Sequence, residues 1–235
     1  AGALLKEIAA RPLEVLSSEG KDIKLQADRD SEALIIDALK KVFHHPILGE
    51  ESGEHGDAFD GLFWVIDPLD GTLNYSRAIP TCCVSIALME GENPRLGAIY
   101  DFDRDELFIA ADGQGAFLNG RPMRVSNVSD PAQGVLSTGF PSKTDYSTEA
   151  LMPLIRRVQA FKKVRMLGAA AVSLAWVACG RMDAYAEDDV MLWDIAAGLS
   201  LIREAGGHVQ IGPSRRHKWA RNVRCASDPR IWRED

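Results

Sequence analysis

Hydrophobic positions recur at helical spacing between Ser31 and Phe43, where Leu34, Ile35, Ala38, Leu39 and Val42 share one face. The preceding Asp28-Arg29-Asp30-Ser31 carries residues that cap helix starts, so the pattern predicts a helix here. Ala3–Leu16 is amphipathic and reads as the end of a first helix. Phe63–Ile66 is a short apolar run and predicts a buried strand. Cys82–Met89, Leu96–Tyr100 and Glu106–Ala110 read as successive strands joined by turn residues. The pattern shifts near Gly139-Phe140-Pro141-Ser142. Beyond it, Leu151–Ala160 predicts a helix, Lys163–Arg165 a strand, and Ala169–Cys179 a helix of small residues. Asp183–Ala186, Gly206–Ile211 and Val223–Ala226 predict three further strands. There is no internal repeat and no low-complexity segment.

Composition narrows the class. The 235 residues are 46% hydrophobic and 26% charged, an ordinary globular balance. The net charge of −7 speaks against a nucleic-acid-binding surface. The four cysteines, Cys82, Cys83, Cys179 and Cys225, lie in or beside apolar runs without C-x-x-C spacing. They read as free buried thiols, and neither a zinc site nor a disulfide framework is expected. No apolar run approaches the roughly 18 residues of a membrane span. With no secretory signal visible, a cytoplasmic protein is expected.

The most informative stretch is Trp64-Val65-Ile66-Asp67-Pro68-Leu69-Asp70-Gly71-Thr72-Leu73-Asn74. A buried strand ends in two carboxylates three positions apart, which suit a shared divalent cation. Gly71-Thr72 can open a helix, whose free N–H groups suit an anion. Metal and phosphate are implied within one turn of chain. The absence of histidine beside these carboxylates favours magnesium over zinc or iron.

This stretch resembles the first signature of the inositol monophosphatase family, W-x-[IV]-D-P-[IL]-D-G-T. Three further segments resemble the family in the same order. Ile47-Leu48-Gly49-Glu50-Glu51-Ser52 is similar to its G-E-E segment. Gly113-Gln114-Gly115-Ala116-Phe117-Leu118-Asn119-Gly120 is similar to a structural hairpin, and Leu192-Trp193-Asp194-Ile195-Ala196-Ala197-Gly198 to its second signature. The resemblance spans about residue 3 to residue 227. It implies an α-β-α-β-α layered sandwich, with residues 1–140 forming one half around a large antiparallel sheet and 141–235 the other. The active site would lie between the halves of one compact unit. One to two helical turns would precede Ala3, so the first helix would be trimmed or disordered at its start.

The resemblance also implies roles. Glu50, Asp67 and the Leu69 carbonyl would hold a first Mg²⁺; Asp67, Asp70 and Asp194 a second. Two or three ions in all would be bound, with sensitivity to lithium. Four carboxylates brought together would repel one another without cations. Thr72 paired with Asp28 would orient the attacking water, and Glu50 would share the base role. Asp28 lies in a segment where Leu25 replaces the family's usual Thr, and it could equally cap the following helix. Phosphate would rest on Gly71 and Thr72. The alcohol would meet Asp70, Glu187 and the Gly168-Ala169-Ala170 turn.

The leading expectation is a homodimeric, Mg²⁺-dependent phosphomonoesterase acting on myo-inositol monophosphate or a related polyol or sugar phosphate. Sister enzymes on the same scaffold are 3′(2′),5′-bisphosphate nucleotidases, fructose-1,6-bisphosphatases and histidinol-phosphate phosphatases. Leu73-Asn74-Tyr75 after D-G-T is nearest the T-N-F of inositol monophosphatases. A catalytically silent binding protein should have lost a ligand or Thr72, and none is lost.

Overall fold

The computed structural model describes residues 1–19, 22–140 and 145–232. Pro141 and Ser142 of the pattern shift lie outside them. The chain opens with α1 (Gly2–Ala9), followed by an antiparallel hairpin of β1 (Val15–Glu19) and β2 (Asp22–Leu25). The helix expected over Ala3–Leu16 therefore ends early. Pro12 accounts for this, because it lacks an N–H and disfavours helical geometry in the residue before it. Helix α2 (Gln26–Val42) begins before the apolar spacing announces it. Asp28 is its third residue, not its cap, and accepts the Leu25 N–H at 2.9 Å. This half of a capping box satisfies a backbone donor that the helix cannot.

Next come β3 (Ile47–Gly49), β4 (Gly53–His55), β5 (Leu62–Asp70), α3 (Thr72–Ser76), β6 (Cys83–Glu90) and β7 (Asn93–Asp101). β8 (Glu106–Ala111), β9 (Gly115–Leu118) and β10 (Arg121–Pro122) complete an eight-stranded sheet, ordered β10-β9-β8-β7-β6-β5-β3-β4. Among the described residues, only β3 and β5 pair in parallel within it. The pairing of β5 with β6 shifts register between Asp67 and Asp70. Pro68 cannot donate to a ladder, so the strand bulges there and turns its carboxylates toward the site.

The second sheet is built from β11 (Val135–Thr138), β12 (Lys163–Arg165), β13 (Ala184–Met191), β14 (His208–Pro213) and β15 (Ala220–Ala226), in the order β12-β11-β13-β15-β14. Its helices are α4 (Thr148–Ala160), α5 (Ala170–Ala178) and α6 (Leu192–Glu204). β11 has no counterpart in the hydrophobic pattern, and it enters this sheet before residue 140. A division by sheet therefore falls ahead of Val135.

The layers follow from what each helix buries. Ile35 and Ile36 of α2 pack with Ile47, Trp64 and Ile66 on one face of the large sheet. α5 and α6 lie between the two sheets in a core that runs from Leu48 to Cys225. Phe161, Ile231 and Trp232 cover the far face of the second sheet. This is an α-β-α-β-α sandwich. The middle layer fits tightly: a Cβ on Gly97 would stand 2.3 Å from the Ala197 carbonyl, and one on Gly198 would stand 2.4 Å from Leu174. The small residues after Asp194 thus set how closely α6 approaches β7 and α5. The glycine-rich hairpin is tied to α6 by Glu204, which accepts the N–H groups of Gly113 and Gly115 at 3.0 and 2.8 Å. Among the described residues no helix is long and apolar enough to cross a membrane.

Candidate active site

The bulge of β5 and the turn into α3 form the centre of the site. Asp67 is buried, and its Oδ1 accepts the Leu69 N–H at 3.0 Å, folding the Asp-Pro-Leu segment back on itself. Gly71 has φ +90°, and a Cβ there would lie 2.8 Å from the Thr81 carbonyl, so only glycine fits. The chain can then place the Thr72 hydroxyl 3.0 Å from Asp28 Oδ1 and 3.1 Å from the Leu69 carbonyl. The Thr72–Asp28 pair predicted from the motif is formed. Both Asp28 oxygens are engaged, one by Thr72 and the other by the Leu25 N–H, from the third helical position rather than the expected cap.

Asp70 is less free than expected. Its carboxylate accepts N–H groups from Ala170 at 3.2 Å and Ala171 at 2.7 Å, at the start of α5. The Ala170 N–H, in the turn expected to meet the alcohol, is thus engaged by Asp70. Cys83 also donates a weak bond to Asp70 at 3.8 Å. Asp194 lies at the third position of α6 and accepts the Met191 N–H at 3.3 Å. Glu187 accepts the Tyr185 hydroxyl at 2.8 Å. Asp70, Asp194, Glu187 and the Gly168–Ala170 turn together line one cavity of about 190 Å³. A second cavity of about 180 Å³ shares Thr138, Gly139, Phe140 and Glu187 with it and continues toward Arg157 and Asp188.

Three residues make contacts at the site that the sequence reading did not assign, because their signals are ordinary. Ser31 donates to the Pro68 carbonyl at 2.9 Å. Glu32 accepts the N–H groups of Glu51 at 3.0 Å and Ser52 at 2.9 Å. Asn74 donates to the carbonyls of Thr81 at 2.8 Å and Leu167 at 2.7 Å. Ser31 and Glu32 stand one turn of α2 beyond Asp28. That i, i+3, i+4 spacing was the available clue.

Asp28, Glu50, Asp67, Asp70, Glu187 and Asp194 are all held above the ordinary carboxyl range. Burial is the first cause for Glu50, which is pushed up to about 8 although its side chain keeps some solvent contact; Glu51, Asp28 and Asp70 add to the rise. Asp67 and Asp194 are raised well above normal, by burial and then by neighbouring carboxylates. Asp70 reaches about 6, because the α5 amides offset part of the burial cost. Glu187 is raised by burial to about 7.

The donor set fits a hard cation. It offers only oxygen, it is buried, and the charges acting most strongly on Glu50, Asp67 and Asp194 are other carboxylates rather than lysine or arginine. A bound cation would relieve that repulsion. The groups are in electrostatic range of one another, yet among the described residues no three acidic, histidine or cysteine side chains already converge as a metal cage. Asp67, Asp70 and Asp194 are each turned onto a backbone N–H instead. Cys82, Cys83, Cys179 and Cys225 are all free thiols.

Comparison with known proteins identifies the family. The model of the inositol monophosphatase family matches residues 1–232. The chain is 43% identical over 199 residues to a Nus factor SuhB of Xylella fastidiosa, covering 84% of this chain and 72% of that one. It is 41% identical over 190 residues to an inositol-1-monophosphatase of Synechocystis, covering 80% of this chain and 66% of that one. The solved structure of the inositol monophosphatase of Anabaena superposes with a TM-score of 0.83 at 37% identity, covering 97% of this chain and 86% of that one. The match runs through both sheets and every element that carries a site residue, and the chain belongs to the inositol monophosphatase family.

Proposed function

We propose that the protein is a magnesium-dependent phosphomonoesterase that releases inorganic phosphate from myo-inositol monophosphate or a related polyol phosphate. The observation that carries this is the cavity in which Asp70 and Asp194, from opposite sheets' connections, face Glu187. Glu50, Asp67, Asp70, Asp194 and the Leu69 carbonyl would hold the ions. Magnesium bound there supplies an activated water and neutralises phosphoryl charge. The chain's own groups do the rest. Asp28 holds the Thr72 hydroxyl by its proton, leaving the oxygen's lone pairs to accept from the attacking water and aim it. The N–H groups of Gly71 and Thr72 receive the phosphate oxygens. Glu187, itself held by Tyr185, accepts hydroxyl protons from the alcohol.

The adjoining cavity past Glu187 leaves room for alcohols larger than a single ring, which supports broad specificity. The Leu73-Asn74-Tyr75 likeness to inositol monophosphatases is a packing signal. Asn74 binds two backbone carbonyls, and the Tyr75 hydroxyl donates to Leu5 at 2.6 Å. That segment leaves the sister activities open. A panel of inositol, sugar and nucleotide phosphates, assayed with and without Mg²⁺, tests the reading. Chelator should abolish phosphate release. Glu187→Gln should lower kcat/KM on polyol phosphates by roughly 5- to 150-fold, the cost of an unmade polar contact, and spare an aryl phosphate. Equal losses on both would move Glu187 into support of the metal site. The relative named a Nus factor favours a second reading, in which the same chain acts as a factor with or without catalysis. Absence of phosphate release across the panel would favour it.

A further inference from the structure

One face of α2 touches three separate pieces of the site. Asp28 holds Thr72, Ser31 holds the Pro68 carbonyl between Asp67 and Asp70, and Glu32 holds the turn Glu50–Ser52 that joins β3 to β4. Glu32 is 2% exposed, and its two oxygens accept two successive amides. A carboxylate buried so deeply costs free energy unless its bonds are complete, and here they are used on the backbone beside Glu50. The fit is made from both sides. A Cβ on Gly49 would stand 2.4 Å from Glu32 Oε2, so the glycine before Glu50 opens the seat for this carboxylate. Lys24 then engages the Glu51 side chain at 3.2 Å, which fixes the turn from its outer side.

We propose that Glu32 is a positioning residue: by clamping the amides of Glu51 and Ser52 it holds the Glu50 carboxylate at the place where it meets Asp67 and a divalent cation. The proposal rests on the phosphatase reading for its cation. The clamp itself is made by protein groups alone. Groups that orient metal ligands are commonly worth 10- to 100-fold in affinity or activity.

The test titrates Mn²⁺ into the metal-free chain by calorimetry, alongside phosphate release at saturating Mg²⁺. Glu32→Gln keeps the size but sets an NH₂ against an N–H. It should weaken Mn²⁺ about 10- to 100-fold and lower kcat, with KM for the ester within about twofold at saturating metal. Gly49→Ala, which displaces the same carboxylate from the other side, should weaken Mn²⁺ in the same direction. Amide exchange in the wild type gives a readout that no variant can spoil by unfolding. The Glu51 and Ser52 amides should exchange at least about tenfold more slowly than an unprotected turn, although Ser52 is exposed. Unprotected amides, or a folded Glu32→Gln that binds Mn²⁺ as tightly as the wild type, would overturn the proposal. Protected amides in a wild type that releases no phosphate would leave the clamp standing and count against the phosphatase reading.

Discussion

At the scale of single residues, the bond between Thr72 and Asp28 is the most consequential contact. Its effect should appear in turnover, because aiming a nucleophile matters most in the transition state. Thr72→Ala should lower kcat by about 10²- to 10⁴-fold with little change in KM, read from steady-state phosphate release. A higher KM at unchanged kcat would make Thr72 a ground-state phosphate ligand. Asp28 adds a pH signature. Burial pushes its carboxyl up to about 6, against the opposing pull of its bonds to Leu25 and Thr72. Only the ionised form accepts from Thr72 without competing for the bond. The rate should therefore fall as the pH drops through about 6, and Asp28→Asn should lower the rate and weaken that fall, leaving only the part that Asp70, also near 6, contributes.

At the scale of elements, the chain was most legible where pattern and chemistry coincide. Strands β6 to β8 and helix α2 follow directly from alternation and helical spacing, and the two signatures carry the candidate ligands Asp67, Asp70 and Asp194. What stayed hidden has physical reasons. β11 is four residues long and carries no turn chemistry that separates it from a loop. Pro12 overrides the amphipathic run after α1. Glu32 and Ser31 look like ordinary members of a polar helix face until the fold brings β3 and β5 beside them. The partners of Asp70 lie a hundred residues away, at Ala170 and Ala171. The same scale yields a test of the middle layer. Gly97→Ala drives a methyl into the Ala197 carbonyl and must push α6, with Asp194 at its start, away from β7. Overpacking of this kind costs about 1–3 kcal/mol. Thermal unfolding should register it, and divalent-ion affinity should fall with it.

At the scale of the whole molecule, the raised carboxyl groups link stability to pH and metal. Glu50 near 8, Glu187 near 7 and Asp28 and Asp70 near 6 bind protons more tightly in the folded chain than in the unfolded one. Stability from these groups is therefore greatest at low pH and is lost as pH rises from about 4 through 8. In chelator, the melting temperature should be lower at pH 8.5 than at pH 6. Magnesium should raise it more at pH 8.5, because the cation replaces the missing protons. Calorimetric scans at the two pH values, with and without Mg²⁺, check both statements. A melting temperature that is flat with pH in chelator would mean that the four groups are solvated and unperturbed.

Asn74 carries a consequence for how substrate comes and goes. Its amide fastens the helix after Gly71 to the Leu167 carbonyl, and Asp70 grips the start of α5 close by. The two sheets are thus stitched together at the floor of the cleft by bonds from one short segment to the opposite side. A hinge that opened like a jaw would have to break those stitches and expose the shared core of α5 and α6. Substrate would come and go past Phe140 and Glu187, which line both adjoining cavities, without parting the two sheets.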